Sequence, residues 1–209
     1  MLESFLLVFE VVFDCETKKF FDDTGTNDPA DLGVSIVSVY VREVDGNFNE
    51  ISGEIMSFWE GEFEKMWKYF FQADRIIGFN SVHFDVAALR PYAPAGFSKL
   101  PHFDILEKLR DVSGKRVKLN AVAKDSLGEE KNDSGANAII YYNAGDPESL
   151  AKLKKYCEMD VEITKKVYDF GAKNKVLKYT DYWNDPHTVS VDFSYPLNFI
   201  SSDKQESLF

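Results

Sequence analysis

The sequence predicts an α/β domain: a central mixed sheet, antiparallel in its N-terminal three-strand section, flanked by helices. Two observations carry that prediction. Strand-like and helix-like patterns alternate along the chain instead of segregating into blocks. The first helical period appears only after three consecutive strand-like segments joined by turn signals. A chain of 209 residues, 44% of them hydrophobic, is also long enough to bury one sizeable core.

Residues 5–14 read as the first strand. Their apolar run is broken only by Glu10, which marks a central strand buried on both faces. The run leads into Phe13-Asp14-Cys15-Glu16-Thr17. Side chains alternate along a strand, so Asp14 and Glu16 project from the same side, roughly 6.5–7 Å apart along the backbone. Two acids so close are costly to bury unless a cation lies between them. The alternative is a strand running into an acidic, solvated turn, continued by Asp22 and Asp23. A polar loop with Gly25, Asn27 and Pro29 follows. Residues 32–41 then alternate small polar with β-branched side chains, and Asp45-Gly46-Asn47 signals a hairpin into a third strand near residues 54–58. Over residues 62–72, Phe63, Met66, Trp67, Phe70 and Phe71 recur with helical period, predicting a helix whose aromatic stripe packs on the sheet.

A short strand ends at Gly78-Phe79, and a loop leads to Asp85 at a helix start. Ligands bind at the C-terminal edge of strands in α/β sheets, although an acid there is also an ordinary helix cap. Residues 91–99, with further breakers at Pro94, Gly96 and Pro101, form a connection. Residues 103–109 and 119–128 read as helices, the second closed by Gly128. Between them, Lys115, Arg116 and Lys118 suit phosphate binding, or equally a solvated basic loop. Residues 129–145 show no assignable pattern. Asp146-Pro147 opens a long helix running to about Gly171. On it Tyr156 and Asp160 share a face, while Leu153, Val161, Thr164, Val167 and Tyr168 are expected in the core. An Asp among such neighbours needs a partner, and a metal ion would supply one.

The formal net charge of −11 argues against nonspecific nucleic-acid binding by the whole surface. The charge is uneven: Lys and Arg against Asp and Glu number 8 to 19 over residues 1–107, 15 to 11 over 108–180 and 1 to 5 over 181–209. The middle block is therefore locally basic. Cys15 and Cys157 lie far apart inside regular elements, which fits a reduced cytoplasmic protein, and no cysteine spacing matches a metal site. No segment reads as a signal peptide or membrane anchor.

Three motifs in order complete the pattern: Phe13-Asp14-Cys15-Glu16-Thr17, then Gly78-Phe79-Asn80-Ser81-Val82-His83-Phe84-Asp85, then Tyr156-Cys157-Glu158-Met159-Asp160. Together they resemble the DEDD superfamily of 3′–5′ exonucleases on the ribonuclease H-like fold, in its tyrosine subclass (DEDDy). The histidine subclass is disfavoured, because Lys155 stands where its His would be. Within that superfamily the chain resembles predicted ribonuclease H-like exonuclease domains, in which Tyr-Cys-x-x-Asp-Val-Glu-x-Thr and a terminal Phe-Gly, here Phe170-Gly171, recur.

The resemblance implies two divalent ions, Mg²⁺ or Mn²⁺. Asp14, Glu16 and Asp160 would hold one, Asp14 would bridge to the second, and Asp85 would support that second ion. It implies that Tyr156 aims the attacking water and that Asn80 and Phe84 shape a nucleotide pocket. The expected substrate is single-stranded nucleic acid, DNA favoured over RNA, cut to nucleoside 5′-monophosphates. His83 is expected to be a loop or capping residue, not a base. One domain is expected over residues 1–200, with aromatic-rich residues 181–200 packed on it as a strand or arm, and a flexible tail over 201–209. The tail's Gln205-Glu206-Ser207-Leu208-Phe209 resembles the bacterial sliding-clamp-binding pentapeptide, with Gln205, Leu208 and Phe209 as anchors. Two other readings remain open at this point: a nonhydrolytic nucleic-acid or clamp-associated scaffold, and a structure-specific endonuclease.

Overall fold

The computed structural model describes residues 7–129 and 135–195. The expected clamp anchors Gln205, Leu208 and Phe209 lie outside the described residues. Five strands form one sheet: β1 (Val8–Thr17), β2 (Val34–Val44), β3 (Glu50–Trp59), β4 (Arg75–Gly78) and β5 (His102–Asp104), in the order β3-β2-β1-β4-β5. β1 pairs antiparallel with β2, and β2 with β3, whereas β1–β4 and β4–β5 are parallel. The sheet is therefore mixed, with β1 at its centre.

Alternation along β1 feeds two separate cores. Val11 and Phe13 pack with Ile76, Met66, Trp67, Phe70 and Phe97 on one face. Val12 packs with Ile77, Phe103, Val161, Val167 and Tyr168 on the other. The second face is covered by the long helix α6 (Pro147–Asn174), which Asp146 caps by accepting bonds from the Glu148 and Ser149 amides. Before it come α1 (Trp67–Gln72), α2 (Asp85–Ala88), α3 (Ile105–Ser113), α4 (Leu119–Leu127) and α5 (Gly135–Ala144). After it, β6 (Val176–Thr180) and β7 (Pro186–Ser190) form an antiparallel hairpin.

The register of α6 on β1 is set by a buried polar cluster. Glu10, fully buried in mid-sheet, accepts bonds from Arg42 (2.9 Å), the Tyr168 hydroxyl (2.8 Å) and the Tyr195 hydroxyl. Arg42 also meets Asp169 at 2.7 Å, and Arg75 donates to the Tyr168 hydroxyl at 2.8 Å. Burial opposes the Arg42 charge, yet Glu10 and Asp169 hold its guanidinium above its ordinary pKa. From Tyr168 back to Tyr156 the helix spans about 18 Å, and from Glu10 to Glu16 the strand spans about 20 Å. Anchoring Tyr168 on Glu10 thus lays Tyr156 and Asp160 against the carboxylate end of β1.

Several expectations need correction. The single helix over 62–72 is a 3₁₀ turn (Glu60–Lys65) followed by α1. Buried positions at 63, 66, 67 and 70 suit either helical period, so the pattern did not discriminate, and Phe71 stays exposed. Residues 102–104 are a strand, too short for alternation to show, and Asp104 then caps α3 through the Leu106 and Glu107 amides. Within the unassigned stretch lies α5. Gly171 has a packing role: a Cβ there would stand 2.2 Å from the Phe193 ring, so the helix can pass under that ring only without a side chain. This brings Phe193 into the core, whereas Tyr182 and Trp183 of the same aromatic-rich segment do not pack on the domain but stay exposed.

Candidate metal centre and nucleotide cleft

β4 ends at Gly78 while β1 runs on to Thr17, so beyond the pairing of Val12 with Ile77 the β4 side of β1 lies open. Asp85 occupies that space. Its Oδ1 accepts a 3.0 Å bond from the Cys15 amide, standing in for a strand carbonyl between the two acids of the first motif. Burial pushes the Asp85 carboxyl up to about 7. The loop that delivers it is held from below: Asp104 accepts bonds from the Asn80 amide at 2.8 Å and the Val82 amide at 3.0 Å. Asn80 adopts φ 63°, and Gly78 admits the returning chain, because a Cβ there would lie 2.4 Å from Ser81. Asp104 was missed as a support of the site; its helix-cap position was the only signal available.

On the opposite wall, burial raises the Tyr156 hydroxyl pKa, and the negative charges of Asp160, Glu16 and Asp14 raise it further. The structure thus brings Tyr156 and the acids of the first and third motifs into one field, with Asp85 bonded to the strand between them. Ligand atoms of Asp14, Glu16 and Cys157 all lie within 4.8 Å of one another. Cys157 was not expected at the acids, although it stands inside the third motif. Burial, with Asp14 and Glu16 next, pushes its thiol well above the ordinary range, and its S–H donates to the Asp14 carbonyl oxygen at 3.5 Å. Two of these three ligand atoms are carboxylate oxygens, and Asp160 and Asp85 add carboxylates on the neighbouring elements. A donor set dominated by carboxylates fits a hard divalent cation.

Beside Glu16 a cleft of about 250 Å³ opens, lined by Cys15, Thr17, Lys19, Phe20, Phe21, Leu32, Phe84, Gly135, Ala136 and Ile139. Phe84 stands edge-on to Phe21, ring centroids 6.3 Å apart. The helix α5 supplies one wall, and a Cβ on its Gly135 would stand 3.9 Å from the Tyr156 hydroxyl. Asn80, expected to shape the pocket, is not among the cleft's lining residues; its backbone amide is bonded to Asp104. His83, exposed, lies 3.2 Å from Arg110 and 3.3 Å from Glu107 on α3. Lys115, Arg116 and Lys118 line a different concavity that shares no residue with the cleft. Lys19 and Phe21, at the cleft, were not singled out from the sequence; they lie in a polar loop without a recognisable motif. Among the described residues, no helix is long and apolar enough to cross a membrane.

Sheet order, the acids at the end of the central strand and the helix laid against them define an α/β domain of ribonuclease H-like class. The RNase_H_2 family model, described as RNase_H superfamily, matches residues 11–171, and the chain belongs to that superfamily. Among solved structures it is similar to the family B DNA polymerase from the hyperthermophilic archaeon Pyrobaculum calidifontis. The TM-score is 0.55 at 18% identity, over 78% of this chain and 24% of the polymerase chain. The likeness is one of fold, and the chain spans about a quarter of the polymerase's length. Among curated protein sequences, none matches the chain significantly.

Proposed function

We propose that the protein is a metal-dependent 3′–5′ exonuclease of the tyrosine subclass that shortens single-stranded nucleic acid, DNA favoured, to nucleoside 5′-monophosphates. One observation carries the reading: ligand atoms of Asp14 and Glu16 lie within 4.8 Å of one another at the end of the central strand, with Asp85 bonded to that same strand end and the Tyr156 hydroxyl in the field of Asp160, Glu16 and Asp14. Membership of the RNase H superfamily supports a nuclease. Two divalent ions, Mg²⁺ or Mn²⁺, supply the chemistry when bound, activating water and stabilising the leaving 3′-oxygen.

In this reading Asp14, Glu16 and Asp160 would hold one ion, and Asp85 would support the other. Tyr156 remains a neutral phenol, because burial and the surrounding acids oppose its ionisation, so its O–H can donate a hydrogen bond and orient a water. Phe84 and Phe21 cover the terminal base, Asn80 shapes the loop beside it, and Lys19 meets phosphate at the mouth of the cleft. A scaffold role is disfavoured, since four clustered carboxylates repel one another without serving a scaffold. The terminal Gln205, Leu208 and Phe209 engage a bacterial-type sliding clamp in this reading; a clamp pull-down undiminished by deletion of residues 205–209 would discard that contact.

The test compares wild type with Asp14→Ala and Asp160→Ala on end-labelled DNA and RNA single strands in Mg²⁺. Loss of cleavage with unchanged circular dichroism supports the assignment. Near-wild-type turnover in either variant refutes it.

A further inference from the structure

The concavity that holds Lys115, Arg116 and Lys118 is a larger feature than the cleft at Glu16. Its volume is about 770 Å³, within the usual size of ligand sites, and its walls come from the α3–α4 connection, the first turns of α4 and the turn of the β6–β7 hairpin. The turn is built to hold one shape. The Asp181 carboxylate accepts bonds from the Trp183 amide (3.0 Å) and the Asp185 amide (3.1 Å), and it meets Lys115 (2.6 Å) and His187 (2.9 Å). The hydrogen bonds from Lys115 and His187 hold the Asp181 carboxyl well below its ordinary range. His187 in turn stacks on Tyr179 at 4.9 Å between ring centroids.

What this turn displays is aromatic and unburied. Tyr182 is 94% exposed and Trp183 73% exposed, edge to face at 5.9 Å, on a surface whose other large aromatics are mostly packed away. Lys115 lies 5.6 Å from the Trp183 ring centre. Around them stand Arg116, Lys118 and Lys124, and Arg116 and Lys118 form no ion pair among the described residues. Among the described lining residues Asp181 is the one acid, and it is already bonded to Lys115 and His187. On a chain of net charge −11, this local excess of cations next to open aromatic faces is unusual. Flat aromatic faces stack bases irrespective of sequence, and cations beside them track the phosphates. An acidic peptide would use the cations but leave the ring faces without a matched partner.

We propose that this concavity is a second, single-strand-binding site, separate from the metal centre, in which a base stacks on Trp183 and backbone phosphates lie against Arg116 and Lys118. It rests on the reading of the chain as a protein that acts on single strands, and it would hold the strand away from the end being cut. Lys115 is a positioning residue: its ion pair fixes the turn that carries Trp183.

The test measures binding without turnover. Fluorescence anisotropy of a labelled fifteen-nucleotide oligothymidylate is followed in EDTA with the full chain, Trp183→Ala, and the double variant Arg116→Glu/Lys118→Glu. Thermal unfolding checks that each variant folds, and Trp183 is exposed enough for its loss to leave the core alone. Trp183→Ala is expected to weaken binding about 5- to 100-fold. The double variant is expected to weaken it and to flatten the dependence of log affinity on log salt by about 1.4, that is, about 0.7 for each lost phosphate contact. Unchanged affinity in both folded variants, no binding by wild type, or equal competition by polyglutamate would each overturn the proposal. The two readings fail separately. Trp183-dependent binding by a protein that cleaves nothing in Mg²⁺ keeps this site and refutes the nuclease, whereas cleavage with Trp183-independent binding does the reverse.

Discussion

Replacing Asp14 by Asn tests whether the acid cluster is built for a cation or for the fold. The nearest ligand atoms of Asp14 and Glu16 are no more than 4.8 Å apart. At an effective dielectric of about 20, two unit charges at that separation repel by about 3 kcal/mol. Asp14 is half-buried, so solvent and salt reduce this to roughly 1–2 kcal/mol. An isosteric neutral residue removes the repulsion, and about 2–4 °C of melting temperature accompanies each kcal/mol in a chain of this size. The metal-free variant is therefore expected to melt about 2–8 °C above wild type. Divalent ions should reverse the order. At about 100 times its dissociation constant, Mg²⁺ or Mn²⁺ stabilises wild type by about 2.7 kcal/mol through linkage, while the variant, short of a ligand, gains little. Differential scanning fluorimetry in EDTA and across a Mn²⁺ series reads both effects. A variant that melts lower than wild type in EDTA, or that keeps the full metal-dependent shift, would refute the reasoning.

Tyr156→Phe keeps the ring and removes the O–H, so cleavage should slow about 10- to 100-fold while the metal-dependent melting shift survives; unchanged kinetics would remove Tyr156 from water positioning. Glu10→Ala leaves Arg42, 2% exposed, and the Tyr168 and Tyr195 hydroxyls without their shared acceptor. A loss of about 3 kcal/mol is expected by urea unfolding, and a loss under about 1 kcal/mol would mean that Glu50 and Asp169 suffice for Arg42. His102 is held below its ordinary pKa by burial, despite its bond to the Phe97 carbonyl oxygen. Below about pH 6.5 the unfolded chain then takes up a proton that the folded one resists, so stability should fall as pH drops. His102→Gln should flatten that fall in urea unfolding between pH 7.5 and 5.5, and identical slopes would exclude His102 as its source.

That the acids of the first and third motifs would meet was legible in the sequence, because they sit in short motifs on elements with strong local signals. Period two puts Asp14 and Glu16 on one side of a strand, and period 3.6 puts Tyr156 and Asp160 on one side of a helix. What escaped depends on contacts between distant residues. Glu10 read only as a break in an apolar run, yet its partners Arg42, Tyr168 and Tyr195 come from three other parts of the chain. The α5 helix that walls the cleft buries Ala138 and Ile139 but leaves Ile140 58% exposed, so no apolar face stood out. Lys115, Arg116 and Lys118 were visible as a basic run, but their concavity exists only because a hairpin distant in sequence brings Trp183 beside them.

The central claim is that the carboxylates around β1 and α6 cut a single strand from its 3′ end. The most direct measurement follows a 5′-labelled single-stranded oligonucleotide in Mg²⁺ over time while the released small products are identified by mass spectrometry. The expected result is a ladder that shortens stepwise from the 3′ end, with nucleoside 5′-monophosphates accumulating and EDTA stopping both. Internal fragments, nucleoside 3′-monophosphates, or an intact strand in the presence of Mg²⁺ or Mn²⁺ would contradict it.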